Sequence, residues 1–161
     1  MTESIELAQH DKAERYGELL PQLASLVDGE PDLIANLANI TAALRVCLPM
    51  ASWIGFYVRR GDELVLGPFQ GKVACVRIAI GRGVCGTAAA ERRTVIVEDV
   101  EKFPGHIACD AGSRSEIVVP IVRGERVVAV LDVDSYELAA FDDVDAMWLG
   151  KIAELVAALS W

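Results

Sequence analysis

The chain has 161 residues, 53% of them hydrophobic, which suits one compact domain that buries roughly 70% of its surface without disulfide staples. That composition excludes a disordered chain, and no apolar run approaches the ~20 residues needed to span a bilayer. A formal net charge of −9 repels nucleic acid and anionic membranes, so neither is expected as a partner.

Residues 1–12 are polar and lack the basic-then-apolar layout of a signal peptide, so a cytoplasmic location is expected. From 11 to 27, Leu19, Leu20, Leu23, Leu26 and Val27 recur at helical spacing. Gly17 and Pro21 interrupt them and predict a kinked or broken helix. Residues 28–30 form a turn, and Pro31 sits where a second helix can begin. There Leu33, Leu37, Ile40, Leu44 and Cys47 share a face until Pro49 stops the helix.

Strand character follows. Residues 53–58 and 63–66 read as a hairpin across a turn at 59–62, and 73–80 as a third strand. The glycine-rich segment 81–86 feeds a short helix at 87–91, then a short strand at 94–97. Residues 98–114 form an irregular loop holding His106, Cys109 and Asp110, and long loops inside compact domains are often functional. Runs at 116–122 and 127–134 pair around Gly124. Asp142 caps a last helix in which Val144, Met147, Trp148, Ile152, Leu155 and Leu159 share a face. The order reads as α+β, a central antiparallel sheet with the N- and C-terminal helices packed on one face and the active-site loops on the other.

Four cysteines occur, none in a C-x-x-C pair, which argues against a thioredoxin-like motif and most zinc ribbons. Cys47 shares the apolar face of Ile40 and Leu44 and reads as core. Cys85 lies between glycines at a helix start, where unpaired N–H groups, the helix dipole and nearby Arg82 favour a thiolate. The same turn can hold a substrate carboxylate. Cys109 lies in the irregular loop near His106, a candidate for proton transfer. Strand alternation turns Cys75 away from Val76 and Ile78, toward the loop of Cys109. Asp132 and Asp134 share a strand face and Glu116 opens the adjacent strand. Carboxylates that close raise one another's pKa and can bind an ammonium or protonate a leaving oxygen. Trp53 and Tyr57 project from one strand face and can box a thioether or methyl group. An alternative reading gathers Cys75, Cys85, Cys109 and His106 into a zinc site, although their spacing is unlike that of structural zinc sites.

Gly67-Pro68-Phe69-Gln70-Gly71-Lys72-Val73-Ala74-Cys75 resembles the free methionine-(R)-sulfoxide reductase family, as do GRGVCGTAAA at 81–90, FPGHIACDAGSRSEIVVPI at 103–121 and LDVDS at 131–135. The resemblance covers roughly residue 30 to the C-terminus. It implies a single GAF domain over 1–161, with 1–30 as an N-terminal helical extension. It implies reduction of the free amino-acid sulfoxide, with redox roles for Cys75, Cys85 and Cys109. Glu116, Asp132, Asp134, Trp53 and Tyr57 would contact substrate. No bound cofactor or metal is implied; electrons would come from NADPH through thioredoxin reductase and thioredoxin. A homodimer paired through terminal helices follows by the same analogy. In the mechanism read here, Cys109 attacks the sulfoxide sulfur, and Cys75 or Cys85 captures the resulting sulfenic acid as a disulfide. Cys85 remains a rival nucleophile. A ligand-sensing GAF module without catalysis is the alternative function.

Overall fold

β-Branched and aromatic residues alternate between two buried faces along the three longest strands, and this alternation builds the sheet. The computed structural model describes residues 3–8 and 11–161; Met1, Thr2, Gln9 and His10, part of the polar stretch read above as no signal peptide, lie outside the described residues. The strands are β1 (Ala51–Arg60), β2 (Glu63–Gln70), β3 (Arg77–Ala79), β4 (Val95–Val97), β5 (Ser115–Arg123) and β6 (Arg126–Ser135). They form one six-stranded sheet in the order β3-β2-β1-β6-β5-β4, antiparallel throughout.

Helices α1 (Lys12–Val27), α2 (Leu33–Cys47) and α4 (Asp143–Ala157) cover one face, burying Leu19, Ile40 and Ile152 against Phe56, Ile117 and Leu131. Helix α3 (Gly83–Glu91) lies on the other face, where Val84 and Ala88 pack with Val118 and Val130. This is the expected α+β arrangement, with the terminal helices together and the loops of the candidate site opposite them. Asp142 caps α4 as expected, accepting from the N–H groups of Val144 and Asp145. Asp145 is fully buried and accepts from the Tyr16 hydroxyl at 2.7 Å and from Lys12 Nζ at 2.6 Å, which ties α1 to α4. Among the described residues, no helix is long and apolar enough to cross a membrane.

Four local expectations change. Helix α1 runs through Pro21 unbroken. The lost hydrogen bond is offset by one buried face, Tyr16, Leu19, Leu23 and Val27, because packing rather than propensity decides short helices. The third strand shrinks to Arg77–Ala79, so Cys75 lies in a loop and Val76 is 62% exposed. Alternation therefore does not apply at Cys75. Helix α3 starts at Gly83, earlier than the glycines suggest. Gly86 is there for a close approach, since a Cβ would sit 2.5 Å from the Ala79 carbonyl oxygen. On α4 the buried face is Leu149, Ile152, Ala153 and Val156, which leaves Met147 51% exposed.

Candidate active site

Sheet register assembles the acidic cluster. Trp53 of β1 pairs with Asp134 of β6, which pairs on its other side with Glu116 of β5. One step along, Gly55 and Val118 flank Asp132. Since all of these point away from the α1–α2–α4 layer, the carboxylates converge beneath α3 in a pocket also lined by Trp53, Tyr57, Cys85, His106 and Cys109. Glu116 and Asp132 are buried, and Asp132 Oδ1 has no hydrogen-bond partner.

Burial raises the pKa of all three carboxyl groups. For Glu116 the charges of Asp132 and Asp134 push it further up, while Asp132 is partly held down by hydrogen bonds from Glu116 and Cys85. Both groups are thus raised, and packed together in a dry site they favour keeping a proton between them. His106 Nε2 lies 3.9 Å from Glu116 Oε2, and burial lowers its pKa, so the imidazole is neutral.

The cysteines divide sharply. Cys75 and Cys109 form a disulfide with a Cα–Cα distance of 5.5 Å, joining the loop before β3 to the loop before β5. In this state their sulfurs are bonded to one another and are not thiolate ligands. Among the described residues, the groups close enough to share an ion are instead Cys85, Glu116 and Asp132. Cys85 Sγ faces Glu116 Oε1 at 3.9 Å. Its burial and the surrounding carboxylates push its pKa well above the ordinary thiol range. Burial and local negative charge thus work against the thiolate that the helix start and Arg82 suggest for Cys85. Cys47 is core, and burial pushes its thiol up to about 11.

Trp53 stacks on Phe69 at 5.3 Å and on Tyr57 at 5.9 Å. Gly55 makes the room, since a Cβ there would meet Phe69 and the Trp53 ring at 2.5 Å. Both expected aromatics also hold the Cys75 loop by its main chain. The Trp53 indole donates to the Lys72 carbonyl at 3.0 Å, and the Tyr57 hydroxyl to the Cys75 carbonyl at 2.9 Å. Opposite them, Gly83, Val84 and Cys85 bring the first turn of α3 to the pocket. No side chain caps that turn, which leaves its N–H groups for an anion.

The structure thus brings together Cys85, Cys109, Glu116, Asp132, Asp134, Trp53 and Tyr57 at one pocket, with Cys75 bonded to Cys109. Sequence reasoning missed Phe69 as the third ring of the stack and Ser113 in the lining. Phe69 pairs with Gly55 across β1 and β2, a signal that required the longer β2 seen here.

Residues 32–159 match the GAF domain family. The chain is 52% identical over 157 residues to GAF domain-containing protein A of Dictyostelium discoideum, covering 97% of this chain and 99% of that one. It is 49% identical over 151 residues to free methionine-R-sulfoxide reductase of Escherichia coli strain K12, covering 93% and 92%. A solved structure of free methionine-R-sulfoxide reductase from Neisseria meningitidis in complex with its substrate superposes with a TM-score of 0.93 at 49% identity, over 96% of this chain and 93% of that one.

Proposed function

The chain belongs to the GAF-domain family, among its free methionine-R-sulfoxide reductases, and on that footing we propose that it reduces free L-methionine-(R)-sulfoxide to methionine. One observation carries the reading beyond family membership: Cys109, half of a disulfide, opens onto a pocket floored by proton-holding carboxylates and an unpartnered Asp132 oxygen. That floor suits an ammonium and the first turn of α3 suits a carboxylate. A free amino acid brings both, whereas a peptide-bound residue brings neither and leaves buried polar groups unpaired. The Trp53–Tyr57–Phe69 stack suits the thioether end.

In the reduced protein, the Cys109 thiolate attacks the sulfoxide sulfur while Glu116 gives its proton to the departing oxygen. The hydroxyl so formed passes from the substrate sulfur to the Cys109 sulfur as the bond between the two sulfurs breaks, so methionine leaves and Cys109 is left as a sulfenic acid. The Cys75 thiolate then attacks the Cys109 sulfur; the S–S bond forms, the S–O bond breaks and the oxygen leaves as water. The sulfoxide gains two electrons and the cysteine pair loses them. Cys85, buried and protonated, serves the reaction by holding Glu116 in place rather than as nucleophile. Thioredoxin reopens the bridge by exchange, its electrons drawn from NADPH through thioredoxin reductase. This cycle belongs in the cytoplasm, where thiols are kept reduced, and a homodimer paired through the terminal helices completes the reading.

The test is NADPH consumption by purified protein with thioredoxin, its reductase and each epimer of free methionine sulfoxide. Turnover is expected with the R epimer alone and is lost in Cys109→Ser. Substantial activity in that variant would transfer the nucleophile's role elsewhere; no turnover by the folded, reduced parent would favour the ligand-sensing module.

A further inference from the structure

Once the Cys75–Cys109 bond opens, the two loops that carried it lose their covalent tie, and a second tie joins them beside it. Asp110, next to Cys109, accepts from the Tyr136 hydroxyl at 2.7 Å through Oδ2 and from the Gly112 N–H at 3.0 Å through Oδ1. Lys72, three residues before Cys75, reaches across from the other loop. Its Nζ lies 3.9 Å from Asp110 Oδ2 and 5.3 Å from the centre of the Tyr136 ring. The ring itself backs onto the Cys109 loop, since a Cβ on Gly112 would stand 3.0 Å from Tyr136 Cε1. The Gly112 N–H and the Tyr136 hydroxyl hold Asp110 below the usual carboxylate range, so the acceptor is an anion at neutral pH. Tyr136 stands one residue past the end of β6, the strand that carries Asp132 and Asp134. The cluster therefore anchors the Cys109 loop to the strand that floors the pocket, and through Lys72 to the loop of Cys75.

We propose that Tyr136 is a positioning residue for the cysteine pair: its hydroxyl on Asp110, backed by Lys72, keeps the Cys109 loop facing the Cys75 loop while the disulfide is open. The inference rests on the proposed reductase cycle for its purpose, though not for its chemistry. How readily two thiols close into a disulfide depends on the effective concentration of one at the other, and that concentration falls as the loops gain freedom. In the cycle, the step affected is attack of the Cys75 thiolate on the Cys109 sulfenic sulfur. The S–S bond forms, the S–O bond breaks, and hydroxide leaves with a proton as water.

Tyr136→Phe keeps the ring and removes only the hydroxyl. Two measurements on the full chain read the result. In glutathione buffers, the equilibrium constant for the Cys75–Cys109 disulfide should fall about tenfold, the scale of one hydrogen bond to a charged group. That corresponds to a reduction potential about 30 mV less negative. In a single turnover of reduced protein with free methionine-(R)-sulfoxide, disulfide closure should slow by about the same factor. More of the Cys109 sulfenic acid should then be trapped by an added 1,3-diketone. Asp110→Ala, which removes the acceptor, must reproduce both shifts. An equilibrium constant unchanged within about twofold in either variant overturns the inference. If the parent protein makes no methionine from the sulfoxide, the reductase reading fails, and the glutathione measurement still decides the role of Tyr136.

Discussion

Burial gives Glu116, Asp132 and Asp134 a higher proton affinity in the folded chain than in the unfolded one, and this couples chemistry to stability. The sign follows from proton counts. Between the unfolded pKa, near 4, and the raised folded value, the native state binds more protons than the unfolded state. Stability is therefore fullest below that window and declines as pH rises through it. Glu116→Gln cannot lose a proton, so its melting temperature should fall less steeply above pH ~5 and exceed the parent's at neutral pH. Each ~1 kcal/mol so recovered raises Tm by roughly 2–4 °C. The same variant should lose on the order of a hundredfold or more in turnover, because it has no proton to give. Thermal melts across pH 4.5–8 check the first claim and steady-state rates the second. A variant less stable than the parent at pH 7 would mean that Glu116 is ionised and paired in the native state.

At this scale the acidic cluster was legible because a two-residue period fixes which side chains share a strand face. The behaviour of Cys85 was not. Its helix start is visible in the glycines, but the carboxylates that keep it protonated arrive from β5 and β6, far off in the chain.

Among elements, the packing of α1 on α4 depends on one buried carboxylate. Asp145 is fully buried and accepts from the Tyr16 hydroxyl, from Lys12 Nζ and from the Asp142 N–H. Tyr16→Phe removes one of these donors and leaves Asp145 Oδ1 underserved in a dry site. The expected loss is about 1.5–3 kcal/mol, measured as the shift in urea midpoint. Residual activity below that midpoint should match the parent, since this contact lies in the helical layer across the sheet from the pocket. A matching loss of turnover would mean that the layer of α1, α2 and α4 shapes the site. Neither Tyr16 nor Asp145 stood out in the sequence, because Tyr16 reads as one more polar-edged residue of α1 and Asp145 as a helix-start acid. Their pairing needs the tertiary fold. The same holds for the boundaries. β3 is shorter than its apolar run because the chain turns away to deliver Cys75, and α3 is longer than its glycines suggest because Gly86 answers a steric demand from Ala79.

For the molecule as a whole, the bond that records the redox state also closes a long loop. Cys75 and Cys109 are 34 residues apart, and the segment between them contains β3, α3 and β4. Crosslinking a loop of that length removes unfolded-state entropy worth roughly 3–4 kcal/mol on the chain-entropy account. The disulfide form should therefore melt higher than the reduced form, by roughly 2–4 °C for each kcal/mol retained. In the proposed cycle the reduced form is the one that meets substrate, so the working state is the less stable state and oxidation by sulfoxide returns the protein to the more stable one. Melts with and without a phosphine reductant measure the difference. Cys75→Ser, which cannot form this bridge, must be insensitive to the reductant and melt with the reduced parent. Equal melting of oxidised and reduced parent would mean that the segment from 75 to 109 is already constrained in the unfolded chain, and the entropy argument would not apply to this fold.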